Sequence, residues 1–536
     1  MLAFARLLDS LSFMPSRNGK LRLMTDYLAA IADPADRLDR GWAMAALTGE
    51  LRLAAAKPAM VRALAAARTD PELFAWSYDY VGDLAETVAL IWPAAATTAA
   101  PPRLAAVIEA LETTPKRDLP ALVAGWLDTM DATGRWALLK LITGALRVGV
   151  SARLAKTALA AAHDRPVDEI EELWHAHRPP YAELFDWLAG HAGRPDVSAT
   201  AAFRPVMLAH PLDEAADLPK LDPADYVAEW KWDGIRVERA RRGGECRLYS
   251  RTGDDIAGAF PEIAAALADE AVLDGELLVG SQDGDGRWTV GTFNALQQRL
   301  NRKEAGPRLI REFPAFVRLY DILIDGEEDL RPLPFVARRA RLEAWYARRP
   351  RPHFDLSPLL PFADWESLAA LRAGARGQGI EGVMLKRRDS AYVAGRPKGP
   401  WFKWKRDALT VDAVLMYAQR GHGKRSSFYS DYTFGCWRTA DAGGRELVPV
   451  GKAYFGFTDE ELRRLDRWIR DHTTRRYGPV REVAPGLVLE VAFDSIHAST
   501  RHKSGLAMRF PRVARIRWDK PAEEADHVEA LLALAE

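Results

Sequence analysis

The sequence predicts a multi-domain protein: an all-α N-terminal domain, an α+β middle domain and a C-terminal β-barrel. Three observations predict it. The chain has 536 residues, more than one ordinary hydrophobic core organises. Apolar residues recur at helical spacing up to about residue 200 and then give way to short strand-like runs. Beyond residue 408 strands dominate, with one helical stretch among them. The boundaries fall at 1–204, 205–407 and 408–536.

Composition narrows the class. Hydrophobic residues make up 48% and charged residues 28%, as in a soluble globular protein. Lys+Arg and Asp+Glu both number 74, for a formal net charge of +0, so any nucleic-acid contact has to come from local basic surface. Two cysteines, Cys246 and Cys436, exclude a cysteine-rich zinc module and argue against a disulfide framework, and a reducing cytoplasm is expected. The first residues, Met1-Leu2-Ala3-Phe4-Ala5-Arg6, do not read as a signal peptide. No apolar run reaches transmembrane length, so no membrane partner is expected.

The N-terminal region reads as helices in Met24 to Ile31 and Pro58 to Leu64, punctuated by Asp33-Pro34 and Asp70-Pro71. Thr143-Gly144-Ala145-Leu146-Arg147-Val148-Gly149-Val150-Ser151-Ala152-Arg153 is a corner between two helices. Its free backbone N–H groups, with Arg147 and Arg153, suit a phosphate, and an ordinary helix–turn–helix corner reads the same way. Gly193-Arg194-Pro195-Asp196 breaks the helical pattern.

The middle region carries the chemistry. In Glu229-Trp230-Lys231-Trp232-Asp233-Gly234-Ile235-Arg236 a strand enters an Asp-Gly turn and Val237 to Ala240 reads as its return strand. Lys231, between bulky rings, is a candidate for a partly desolvated amine, the nucleophilic form of lysine; a surface hairpin with one charge is the alternative. Cys246 to Asp254 is a strand running into a turn, Phe260 to Leu267 an amphipathic helix, and Ala271 to Val279 a strand interrupted by Asp274-Gly275-Glu276. Phe313 to Leu323 is a strand with Tyr320-Asp321 near its end, Arg338 to Arg348 a helix, and Glu381 to Lys386 a strand. In Trp401-Phe402-Lys403-Trp404-Lys405, Lys403 and Lys405 share one face. Two lysines side by side ask for an anion between them, or for a solvated edge.

The last region has strands at Thr410 to Tyr417, Tyr432 to Trp437, Leu447 to Lys452 and Leu487 to Phe493, and a helix at Asp459 to Asp471. That set fits a small barrel of the oligonucleotide-binding type. Arg420 to Ser427 reads as a basic loop, and seven Lys/Arg between Arg501 and Lys520 stand against Asp519 alone.

One nucleophilic lysine, carboxylates Glu276 and Glu381 that suit Mg²⁺, an aromatic Tyr320 for a base and several phosphate-type cations form an inventory for a nucleoside triphosphate. The order of the short motifs resembles the covalent nucleotidyltransferase superfamily and, within it, the bacterial three-domain ATP-dependent DNA ligases. Lys231-Trp232-Asp233-Gly234 matches the K-x-D-G motif, with Arg236 where the family has an arginine. Ser250 to Asp254, Asp274-Gly275-Glu276, Tyr320-Asp321 (Tyr in place of the usual Phe), Glu381 to Lys386, Arg396, Lys403-Trp404-Lys405 and Arg509 to Lys520 resemble the motifs that follow. Val81 to Leu90 and Leu146 to Ser151 look like segments of the ligase DNA-binding domain.

The resemblance implies an all-α DNA-binding domain, an α+β nucleotidyltransferase (adenylation) domain and an OB-fold β-barrel. It implies that Lys231 carries AMP, that Glu229 meets the adenine edge and that Tyr320 stacks on the ring. Arg236, Arg251 and Arg396 would contact ribose or phosphate; Glu276 and Glu381 would serve ribose and the metal, Mg²⁺ or Mn²⁺. Lys403 and Lys405 would bind the α-phosphate and depress the pKa of Lys231, and Asp519 and Lys520 would orient pyrophosphate. Pro397 to Pro400 makes the spacing from Arg396 to Lys403 slightly long. ATP is the implied co-substrate and nicked double-stranded DNA the implied partner, encircled by a monomer. An RNA ligase or capping enzyme shares the lysine, D-G-E and K-x-K pieces but not the long helical region. Two cysteines cannot make the Cys₄ zinc site of an NAD-dependent ligase. A non-catalytic DNA-binding scaffold would have lost Lys231 or the carboxylates.

Overall fold

The structure is a computed structural model. It describes residues 1–534 apart from 31–32, 54–55, 94–99, 145, 198–199, 267, 301, 349–351, 376–378, 421–428, 441–442, 456–458 and 500–501. The basic loop read between Arg420 and Ser427 falls almost wholly outside these residues, as do Arg501 and Leu267. An N-terminal helical region is followed by a nucleotidyltransferase-like domain and a β-rich C-terminal one. The chain forms two compact bodies: Met1–Leu23, Ala45–Ser151 and Asp407–Glu536 make one, Met24–Met44 and Ala152–Arg406 the other. Among the described residues no helix is long and apolar enough to cross a membrane.

The helices of the first body begin and end where their sequence says. Asp70 caps Pro71–Val81 by accepting from Leu73 N, and Gly82 closes it in the left-handed conformation. Asp83 caps Leu84–Ile91 through Glu86 N and also accepts from buried Lys140 at 2.5 Å. Burial works against ionising Asp83, yet the bonds from Lys140 and Glu86 hold it below the usual carboxylate range. Helix Ala132–Thr143 ends on left-handed Gly144. In the corner after it, the carbonyls of Val148 and Gly149 accept from Lys20 Nζ at 2.6 and 3.1 Å.

In the C-terminal part of this body, Leu409–Arg420 pairs with both Tyr429–Thr439 and Val488–Phe493. Arg445–Phe455 and Arg512–Arg517 complete the path between those two, so five strands pair in a closed circuit. Helix Asp459–Asp471 buries Leu465 and Ile469 in the cluster that fills it.

The second body holds two sheets. One orders His210–Pro211, Trp401–Lys405, Ile380–Arg387, Tyr226–Trp232 and Leu359–Leu360; the other orders Glu245–Ser250, Ile235–Arg242, Ala271–Gln282, Ala315–Asp325 and Glu328–Asp329. Tyr226–Trp232 and Ile235–Arg242 therefore do not pair with each other. The return-strand reading is corrected: at Asp233-Gly234 the chain crosses from one sheet to the next. Two other readings are trimmed. The predicted Phe260 to Leu267 helix spans Pro261–Ala265, and Asp274-Gly275-Glu276 bulges the Ala271–Gln282 strand without breaking it. Trp401–Lys405 is an interior strand, with Trp401, Phe402 and Trp404 all buried, which excludes the solvated-edge reading. Residues 201–209 pack between the sheets, where Phe203 and Met207 join Ala240, Tyr249 and Val272 of one sheet to Trp401 of the other.

Candidate active site

The crossing between the sheets builds the site. Lys231 ends the Tyr226–Trp232 strand, opposite Gly382, and the sheet period of two puts Glu229 on its face. Gly234 follows at once. A Cβ there would lie 2.5 Å from the Leu277 carbonyl and 2.9 Å from Glu276 Cγ, so only glycine lets the Glu276 strand pass this close.

The Lys231 amine donates to Glu381, and Lys405 Nζ lies 3.7 Å from the same carboxylate. Burial opposes ionisation of Glu381, but Lys231 and then Lys405 outweigh it and hold it down at about 2. Glu276 goes the other way. Burial, with Glu381 and Asp274 nearby, pushes it up to about 8 against the pull of Lys231 and Arg236. Lys403 is held below the usual lysine range by burial and by four neighbouring cations: Arg396, Lys231, Lys405 and Arg251. Arg251 and Arg396 are both exposed. Five cations converging on one place, with two carboxyls beside them, can hold a polyphosphate.

Next to this cluster is a buried layer. Glu229 is held between Arg339 at 3.0 Å and Lys386 at 2.7 Å. Lys386 Nζ in turn lies 4.5 Å from the centre of the Tyr320 ring. Arg236 makes a two-pronged pair with Asp274 at 2.9 and 2.6 Å, and donates to the Met207 carbonyl and the Tyr392 hydroxyl. Asp519 and Lys520 belong to the other body. There Asp519 pairs with Arg517 at 2.8 Å and Lys520 with Asp412 at 2.9 Å.

The structure thus brings Lys231, Glu276, Glu381, Lys403, Lys405, Arg251 and Arg396 into one electrostatic neighbourhood, with Glu229, Tyr320 and Arg236 behind it. Sequence reading missed four residues of the layer behind: Asp274, Arg339, Lys386 and Tyr392. Asp274 shares a face with Glu276, and Lys386 ends a quoted motif, so both could have been found. Arg339, on helix Phe335–Ala347, and Tyr392 carry no local signal.

Whether a divalent ion fits can be judged from the donor set. Glu276 keeps a proton at neutral pH with Glu381 beside it, the state a hard cation on oxygen ligands would displace. Among the described residues no group of three or more His, Cys, Asp or Glu could hold a metal. Mg²⁺, which takes one or two carboxylates and fills its shell with phosphate oxygens and water, suits that pair.

Two family models match the chain: the ATP dependent DNA ligase domain over residues 206–405 and the ATP dependent DNA ligase C terminal region over 425–520. A probable DNA ligase of Koribacter versatilis is 36% identical over 434 residues, a match spanning 73% of this chain and 70% of that protein. DNA ligase 1 of Korarchaeum cryptofilum is 32% identical over 414 residues, 76% of this chain and 73% of that one. The solved structure of Pmar-Lig_PreS3 superposes on 96% of this chain and 99% of its own, with a TM-score of 0.57 at 17% identity, a likeness of fold. An amine, two carboxyls and a cluster of cations on this scaffold can hold a phosphorylated substrate. The chain belongs to the ATP-dependent DNA ligase family. It is an enzyme that ligates DNA, with ATP as substrate.

Proposed function

We propose that the enzyme seals 5′-phosphate/3′-hydroxyl nicks in duplex DNA through a lysyl-AMP at Lys231. The observation that carries this is the Lys231 amine, set at a sheet crossing against Glu381 and facing the cations around Lys403. The Lys231 nitrogen attacks the α-phosphorus of ATP, loses a proton, and pyrophosphate leaves. A 5′-phosphate oxygen at the nick then attacks the lysyl-AMP phosphorus and frees the lysine. Last, the 3′-hydroxyl attacks the activated 5′-phosphate, loses its proton, and AMP leaves.

Each step displaces a group at phosphorus, so fixed cations placed for one serve all three. Lys403, Lys405, Arg251 and Arg396 take the phosphates, while Arg236 and Tyr320 bound the nucleoside side. Glu229 lines the adenine end from within its pair of cations. Glu276 and Glu381 hold Mg²⁺ or Mn²⁺, which offsets phosphate charge when bound. Asp519 and Lys520 orient the pyrophosphate. In this reading residues 1–204 are an all-α DNA-binding domain, 205–407 the adenylation domain and 408–536 an OB-fold barrel, and a monomer encircles the DNA in the cytoplasm during repair or replication. The five-strand circuit supports the barrel. Incubation with labelled ATP and Mg²⁺ tests the core of it. A covalent AMP adduct is expected on the parent and none on Lys231→Ala; an adduct that survives the substitution overturns the reading.

A further inference from the structure

Helix Val167–Trp174 and the residue after it lie against two loops of the adenylation machinery. Its side chains fan out by helical spacing: Glu171 to Arg153 at 2.6 Å, Glu172 to Arg331 at 2.8 Å, and His175 one turn on. His175 is half-buried, edge-on to Phe203 with ring centres 4.8 Å apart, and Lys156 Nζ lies 3.4 Å from its Nε2. A lysine ammonium can only donate, so Nε2 accepts and the ring is neutral. Burial, with Lys156 adding to it, pushes His175 down to about 3, so the ring is uncharged at neutral pH.

That ring abuts Gly253. A Cβ on Gly253, whose φ is +86°, would overlap the imidazole. Gly253 belongs to the tight turn after strand Glu245–Ser250, closed by Ser250 N to the Asp254 carbonyl at 2.8 Å and Gly253 N to the Ser250 carbonyl at 2.9 Å. Arg251 rides on this turn. A second contact repeats the arrangement. Arg153, tied to Glu171, lies so that a Cβ on Gly395 would be 2.8 Å from its Nη2. Gly395 is clamped by Val206 and Leu208 backbone bonds at 3.0 and 2.5 Å, and Arg396 is the next residue. Arg251 and Arg396 are therefore each carried on a loop whose glycine is pressed by a side chain from the helical region.

We propose that His175 and Arg153 are positioning residues for the ATP phosphates: they press the Gly253 turn and the Gly395 loop into place and so set the reach of Arg251 and Arg396 toward Lys403. The inference rests on the reading of those two arginines as phosphate ligands. It gives the helical region a part in the first chemical step, before any DNA is bound.

The test is the ATP dependence of lysyl-AMP formation by the full chain without DNA. For His175→Ala the half-saturating ATP concentration should rise about tenfold while the plateau rate stays within about twofold, the signature of weakened phosphate binding with the chemical step intact. His175→Gln, which still accepts from Lys156, should recover most of that loss. Arg251→Ala should show a similar rise, and adding His175→Ala to it should cost little more, because both changes act through one arginine. Gly253→Ala, whose methyl pushes the turn off the imidazole, gives the same readout if the His175→Ala variant does not fold. An unchanged ATP dependence in His175→Ala and Gly253→Ala, with Arg251→Ala impaired, overturns the positioning role alone. So does a His175→Ala loss that persists in full in the Arg251→Ala background. If Arg251→Ala and Arg396→Ala themselves leave the ATP dependence unchanged, the phosphate reading fails instead.

Discussion

At the residue scale, the two carboxyls beside Lys231 differ because their surroundings do. Glu381 has an amine to accept from and ionises readily; Glu276 has burial and, among the described residues, no bonded cation, and stays protonated up to about 8. The consequence for stability has a definite sign. An unfolded chain ionises this glutamate above its ordinary 4.5, while the folded chain keeps the proton to about 8. Its contribution is thus present below 4.5 and is lost as pH rises through 8. His175 runs oppositely: its contribution is present above 6.5 and is lost as pH falls toward 3. Thermal scans without nucleotide or metal should show Glu276→Gln losing roughly 2–4 °C less than the parent as pH rises from about 6.5 to 8. An identical slope in the two proteins would contradict the assignment. Mg²⁺ with ATP should shrink the parent's slope as well, since a cation replaces that proton.

At the scale of elements, the buried network behind the site ties a strand of one sheet to a helix. Glu229 joins Arg339 of helix Phe335–Ala347 to Lys386 of strand Ile380–Arg387. Removing the shared carboxylate strands two buried cations, so Glu229→Ala should cost roughly 3 kcal/mol or more in chemical denaturation. A variant that unfolds at the parent's denaturant concentration would mean the network is solvated. This layer also marks where sequence reading stops. The strands that hold Lys231, Glu276, Glu381 and Lys403 were legible because alternation of apolar and charged residues is a local signal. Which sheet each strand joins is not local: Asp233-Gly234 reads as a hairpin turn, and only the long-range pairing of its two flanking strands shows that it is a crossing. Arg339 and Tyr392 were invisible for the same reason, since a buried partner far along the chain leaves no trace in its neighbours' spacing.

At the scale of the molecule, zero net charge throws DNA affinity onto local basic surface. Binding to nicked duplex should weaken steeply between about 50 and 200 mM salt, in proportion to the phosphates neutralised; a flat response would count against a phosphate-tracking clamp. In the proposed mechanism Asp519 and Lys520 act in the first step alone. Their joint replacement by alanine should slow lysyl-AMP formation by about tenfold or more while sealing of pre-adenylated nicks changes little, because only the first step expels pyrophosphate. Equal losses in both assays would refute that division. The crossing at Asp233-Gly234 carries a last implication. Lys231 stands on one sheet and Glu276 on the other, so the gap between them is the gap between two layers, set by apolar side chains such as Met207, Ala240 and Trp401. A wedge of two added methyl groups in that seam, as in Ala240→Val, should slow lysyl-AMP formation measured with labelled ATP without touching a single charge.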